Sequence, residues 1–263
     1  MKVFVTGVAG QLGHDVMNEL AERGYEGIGS DIKETYSGVC DGTAVEKMPY
    51  VQMDITDAES VRNILTSVKP DVVVHCAAWT AVDLAEDEDK RDTVYAVNVN
   101  GTRNIAGICK ELGSKMVYLS PDYVFDGTGD EPWKPDCKDY SPLNVYGKTK
   151  LDGELAVSEL LERYFIVRIA WVFGKNGKNF IRTMLNVGKN HDRLTVVNDQ
   201  IGTPTYTLDL ARLLVDMIET EKYGYYHATN EGGYISWYDF AVEIFLQAAG
   251  MGHPEYDQEH LTV

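Results

Sequence analysis

Positive charge is scarce in this sequence: 24 Lys and Arg stand against 41 Asp and Glu, a formal net charge of −17. Such a field repels nucleic acid and anionic membrane, which excludes both as expected partners. An anionic small ligand would have to be met by locally placed dipoles or cations. Cysteine is also rare. Cys40, Cys76, Cys109 and Cys137 show no C-x-x-C spacing and no nearby histidine pair. Cys76 and Cys109 sit in apolar patterns, so reduced structural thiols are expected rather than disulfides or zinc. No metal is expected in the chemistry. Long apolar runs are missing, and no signal-peptide pattern precedes the first strand, so the expected location is cytoplasmic. Repeats and low-complexity segments are absent as well.

What is present is an ordinary globular composition over 263 residues, 44% hydrophobic and 25% charged, enough for a large core. Short β-branched runs alternate with helical patterns. "KVFVT" (2–6), "YEGIGS" (25–30), "YVQM" (50–53), "DVVVHCAA" (71–78), "KMVYLS" (115–120) and "YFIVRIAWVF" (164–173) read as strands. Helical stretches separate them, one beginning near Thr56, whose spacing to Glu59 suits a capping box. This alternation predicts an α/β fold, a Rossmann-type doubly wound parallel sheet. Beyond about residue 175 the rhythm loosens. Residues 1–170 are therefore assigned to a dinucleotide-binding domain. Residues 171–263 are assigned mainly to a smaller, partly interleaved substrate-binding lobe, with helices near 207–220 and 236–249.

"TGVAGQLG" places Gly7, Gly10 and Gly13 directly after a strand and at the opening of a helix. Glycines there allow a tight turn and let a pyrophosphate approach the helix N-terminus. Asp31, ending the second strand, can bond an adenosine ribose 2′-OH and would favour NADH over NADPH, with Lys33 partly offsetting it. A surface-turn aspartate is its alternative. Asp54 is balanced between the adenine edge and a helix-start role.

In "SPLNVYGKTK", Tyr146 and Lys150 stand four apart on a predicted helix and share a face. A phenol beside an ammonium is a better proton donor to a carbonyl being reduced. The stretch "YLSPDYVFDG" ends a buried strand in Ser120, Pro121, Asp122 and Tyr123.

These residues resemble the extended short-chain dehydrogenase/reductases. "GQLG", "AAWTAVDLAE", "DYVFDGTGDEPW", "SPLNVYGKTKLDGE", "RIAWVFG", "NFIRTM" and "NDQIGTPT" narrow the resemblance to the dTDP-4-dehydrorhamnose reductases. The resemblance implies reduction of the C4 carbonyl of a nucleotide-activated sugar by NADPH or NADH. Tyr146 would donate the proton, with Lys150 as electrostatic partner and ribose ligand. Gly10, Gln11 and Leu12 would touch the pyrophosphate, and Asp31, Asp54 and Ile55 the adenosine. Ala77, Ala78, Trp79 and Thr80 would line the other half of the cofactor. Asp122, Tyr123 and Trp171 would face the sugar, while Gln200 and Thr203 would help enclose it or pack loops. A homodimer is a possible assembly.

Two departures bear on activity. The family usually has threonine where this chain has Pro121, which supplies neither hydroxyl nor N–H. Ser120 is adjacent but should point to the opposite face, replacing that hydroxyl only if the proline redirects the backbone. A slower enzyme is expected. The family also continues for tens of residues past "EHLTV", so either the sequence is truncated or part of the substrate lid is missing. The competing readings are a non-catalytic, NADP-binding regulatory subunit on the same fold, or another epimerase or dehydratase of the extended family.

Overall fold

The computed structural model describes every residue except 130 and 192, so one position of the "DYVFDGTGDEPW" block lies outside the described residues. The chain runs β1 (Lys2–Thr6), α1 (Gln11–Glu22), β2 (Glu26–Asp31), β3 (Tyr50–Gln52), α2 (Ala58–Val68) and β4 (Val72–His75). Then follow α3 (Glu88–Tyr95), α4 (Thr102–Leu112), β5 (Lys115–Pro121), α5 (Val145–Leu160) and β6 (Tyr164–Ile169). A π-helical stretch, Ala96–Gly101, joins α3 to α4. Asp57, not Thr56, caps α2: its carboxylate accepts from the N–H groups of Glu59 and Ser60, while Thr56 is tied back to Asp54.

The predicted strand 164–173 is interrupted. Trp171 adopts φ +51°, a left-handed conformation, and the short β7 (Val172–Phe173) pairs elsewhere. The second half continues through α6 (Phe180–Gly188), β8 (Leu194–Thr195), β9 (Ile201–Gly202), β10 (Thr205–Tyr206), α7 (Thr207–Ile218), β11 (Gly224–His227), β12 (Ile235–Ser236), α8 (Trp237–Gly250) and β13 (Leu261–Thr262).

Seven parallel strands form the central sheet in the order β11-β6-β5-β4-β1-β2-β3. Strand order reverses between β1 and β4, and the crevice outside the carboxyl ends there is where α/β sheets bind ligands. Alternation along the strands divides the core. Val3, Val5, Val72, Val74, Val117 and Leu119 face α1 and α7, whereas Phe4, Val73, Met116 and Tyr118 face α2, α4 and α5. At about 25 cal/mol per Å² of apolar surface, this double-sided burial is the main driving force for folding.

From the second half of the chain, β11 completes the sheet beside β6 and α7 packs on α1. A separate apolar cluster is built on α6 and α8, with Phe240, Ile244, Phe245 and Tyr256 among its buried residues.

Candidate active site

A cleft of about 630 Å³ opens at the carboxyl ends of β1, β2, β4 and β5, and its lining also includes Ile169, Trp171, Val172 and Lys178. Its floor begins at the glycine loop. Gly7 has φ +70°, and a Cβ there would lie 2.7 Å from the Ala77 nitrogen; a Cβ on Gly13 would lie 2.3 Å from the Gly7 carbonyl oxygen. Side chains are thus excluded at positions 7 and 13, and strand, helix and neighbouring loop close on one another there. Gly10 caps α1 without any side-chain hydrogen bond. The first helix N–H groups and the positive end of the dipole therefore face the cleft.

Gln11 and Leu12 line the same wall. Asp31 sits at the end of β2, one carboxylate oxygen accepting from the Ala9 N–H at 3.0 Å and the other from the Ile32 N–H at 2.8 Å. Asp54 lines the cleft with Ile55 and accepts from the Thr56 N–H and hydroxyl, so its position serves the turn and the cleft together. Ala77, Ala78 and Thr80 form the opposite side. These features fit a dinucleotide: an uncapped helix end in a glycine cradle, a carboxylate one strand away, and the buried Ser30 hydroxyl, which has no hydrogen-bond partner.

The other end of the cleft is built by β5 and α5. Asn144 caps α5, its side-chain oxygen accepting from the Gly147 N–H at 2.7 Å. A Cβ on Gly147 would lie 2.3 Å from the Tyr123 carbonyl oxygen, so only glycine lets the first turn of α5 press against the end of β5. That contact brings Tyr146 edge-on to Tyr123, with ring centroids 5.7 Å apart. Burial first, and then the nearby Asp122 and Tyr123, push the Tyr146 phenol above its usual pKa. Burial likewise raises the Asp122 carboxyl.

Lys150 is 4% exposed and its ammonium lies 4.2 Å from the centroid of the Tyr118 ring. Burial lowers its pKa to about 7, with Glu154 and Cys76 opposing. The groups that shift the Tyr146 phenol are burial, Asp122 and Tyr123, all in the raising direction. Tyr146 is held protonated, and the ammonium is stabilised by the aromatic face.

Ser120 is 1% exposed, lines the cleft, and its hydroxyl has no partner. β5 stays paired in register through Pro121, opposite Ile169, so the proline does not redirect the chain. Ser120 lines the cleft without such redirection. Ser120 shares the face of Tyr118, whose hydroxyl donates to the Lys150 carbonyl oxygen. Two residues further along the strand is a rise of about 6.6 Å. One turn back along α5 is about 5.4 Å. Ser120 and Tyr146 therefore stand at the same level, on facing elements.

The cleft lining also holds Pro121, Asp122, Tyr123 and Trp171. The Trp171 indole stacks on Trp237 with centroids 3.7 Å apart. Three of the expected residues are not in this lining. Trp79 is turned away, its indole N–H donating to the Ala81 carbonyl. Gln200 is exposed and Thr203 half-buried, beside the β9–β12 pair.

Residues 1–258 match the family described as the RmlD substrate binding domain. The chain belongs to that family. Within it, the chain is 39% identical over 254 residues to a dTDP-4-dehydrorhamnose reductase of Aggregatibacter actinomycetemcomitans, covering 94% of this chain and 79% of the relative. It is 35% identical to the Escherichia coli K12 protein of the same name, covering 97% and 80%. A Clostridium acetobutylicum dTDP-4-dehydrorhamnose reductase structure superposes with TM-score 0.84 at 41% identity, covering 95% of this chain and 81% of that one. The Bacillus anthracis dTDP-4-dehydrorhamnose reductase, solved in complex with NADP, gives 0.83 at 39% identity, covering 94% and 81%.

This RmlD-family chain also carries polar groups that pattern reading passed over. Thr102 donates to the Asn98 carbonyl at 2.8 Å, so the His75 Nε2–H must donate to Thr102. His75 Nδ1 then accepts from Thr6, whose oxygen accepts from the Ala77 N–H at 3.1 Å. Burial, helped by the Lys150 charge, lowers His75 to about 3 and keeps it neutral. Asn98, held in the π-helical stretch, bonds both backbone groups of Trp79 and donates to Thr149, which donates to the Tyr146 carbonyl. One polar chain thus connects the cleft wall to the first turn of α5. Its only sequence signal was a histidine and an asparagine inside apolar runs.

Proposed function

We propose that this protein reduces the C4 carbonyl of dTDP-4-dehydro-L-rhamnose, using NADPH or NADH, to give dTDP-L-rhamnose. The observation that carries this reading is the meeting of Tyr146, Lys150, Ser120 and the glycine-loop helix in one cleft. The family assignment supports it. Gly10, Gln11 and Leu12 would hold the dinucleotide pyrophosphate, Asp31 and Ile55 the adenosine, and Ala77 and Ala78 the nicotinamide half. The bound dinucleotide supplies hydride. Tyr146 keeps a proton on its phenol oxygen at neutral pH and delivers it to the substrate oxygen. Ser120 offers the second hydroxyl, and Trp171 an apolar face for the sugar ring. Asp122 and Tyr123 bound the sugar side, and a homodimer is the assembly we take with this reading.

The test is oxidation of the reduced nicotinamide, followed by its absorbance, when purified protein meets dTDP-4-dehydrorhamnose. Absence of turnover with either dinucleotide, despite tight binding, would replace this reading with a non-catalytic binding role.

Two predictions arise here. Ser120→Ala should lower kcat roughly tenfold, part of the range for general acid assistance. Pro121→Thr, whose hydroxyl would stand on the other face of β5, should leave kcat within about twofold and should not rescue Ser120→Ala. An unchanged kcat in Ser120→Ala would show that this hydroxyl plays no part. The second concerns pH. The charged form of Lys150 is lost as pH rises through its lowered value of about 7. Because kcat/KM reports the free enzyme, it should fall on the alkaline side of neutrality, and a flat profile into the alkaline range would contradict the assignment.

A further inference from the structure

We infer that Lys178 is a cation for the dinucleotide pyrophosphate, supplied by the smaller lobe across the cleft from the glycine loop. The inference rests on the reading of the cleft as a dinucleotide site. Its first support is electrostatic. Asp31, Asp54 and Asp122 line the cleft, and the lysines that line it among the described residues are Lys150 and Lys178. Lys150 is buried against Tyr118. Lys178 is exposed, and so is the accessible positive group of an otherwise anionic opening. In a chain of net charge −17, an anionic ligand needs such a local cation to overcome the surrounding field.

The second support is position. Lys178 follows Gly177, where a Cβ would lie 3.0 Å from Gln11 Cγ and 3.8 Å from the Gln11 nitrogen. It precedes Asn179, whose amide donates to the Gln11 side-chain oxygen at 2.9 Å. Asn176, only 3% exposed, donates to the carbonyls of both Ala9 and Gly10 at 3.0 Å, while its oxygen accepts from the N–H groups of Val39 and Gly177. The segment from Asn176 to Asn179 is therefore fastened at both ends to the loop that opens α1. Lys175, nearby, is paired with Asp41 at 2.6 Å; Lys178 forms no ion pair among the described residues. The pyrophosphate site is bipartite, with helix N–H groups on one side and an ammonium from the second lobe on the other. Binding the dinucleotide thereby adds a tie between the lobe and the sheet domain.

A nucleotide sugar also carries a diphosphate. Proximity to Gln11 assigns Lys178 to the dinucleotide instead, and the two ligands can be titrated separately. NADPH, NADH and dTDP would each be titrated into the full chain, its Lys178→Met variant and its Lys178→Arg variant, at two salt concentrations. In Lys178→Met the NADPH dissociation constant should rise roughly tenfold, as for one charge-assisted contact at a partly exposed site. Its salt dependence should become shallower, Lys178→Arg should retain most of the affinity, and dTDP binding should change by less than about twofold. Unchanged NADPH affinity in a folded Lys178→Met protein would overturn the inference, and so would a loss confined to dTDP. Failure of the unmodified chain to bind either dinucleotide would instead overturn the reading of the cleft itself.

Discussion

Tyr146→Phe is expected to lower kcat by about 10²–10⁴-fold, the usual contribution of a positioned proton donor, while NADPH affinity stays within about twofold. The expectation follows from where the phenol sits. Burial together with Asp122 and Tyr123 raises its pKa, so at neutral pH the proton is on the oxygen and ready to leave toward a carbonyl accumulating negative charge. Removing the hydroxyl leaves the ring, its edge-on contact with Tyr123 and the packing made possible by Gly147 in place. A loss in kcat with little change in dinucleotide binding is therefore the signature of missing proton transfer rather than a disturbed fold. Steady-state kinetics beside a fluorescence titration would separate the two. If kcat falls by less than about tenfold, the proton comes from another group, and Ser120 becomes the first candidate.

The sheet and the placing of Tyr146 and Lys150 on one helix beside the cleft were legible in the sequence because each depends on local spacing. Glycines at three-residue intervals after a β-branched run, and a tyrosine four residues before a lysine, carry their geometry with them. Long-range placements were less legible. Ser120 seemed misdirected because Pro121 drew attention to the wrong face. The level match with Tyr146 emerges only when β5 and α5 are set side by side. The seat of the Lys150 ammonium over the Tyr118 ring, on a different element, is likewise invisible to local spacing. Trp171 was read as part of a continuous strand, and its left-handed backbone, braced by Trp237 from α8, depends on packing 66 residues away in the chain. Asn176 and Lys178 were passed over for the same reason: nothing local announces that their segment is bonded to residues 9–11.

Arg168→Leu is expected to destabilise the fold by about 3–5 kcal/mol, the cost of leaving a buried charge unpaired. Arg168 is 2% exposed and Glu154 is fully buried. Their two hydrogen bonds, at 2.9 and 2.8 Å, join β6 to α5 one turn beyond Lys150. The guanidinium also donates to the Tyr140 hydroxyl and the Pro135 carbonyl, and lies about 5.0 Å from the centroids of Phe125 and Tyr225. Leucine could keep part of that apolar packing but would leave the buried Glu154 carboxylate without its hydrogen-bonded partner. The double variant Glu154→Leu with Arg168→Leu removes both charges, and replacing a buried ion pair by apolar groups is often close to neutral. It should therefore recover most of the loss, as read by urea unfolding of the full chain. Recovery would show that the single variant suffers from an unpaired charge. If the double variant is instead as unstable as the single one, the aromatic and carbonyl contacts of Arg168 are what join β6 to the 125–140 segment, and the ion pair with α5 is secondary to them.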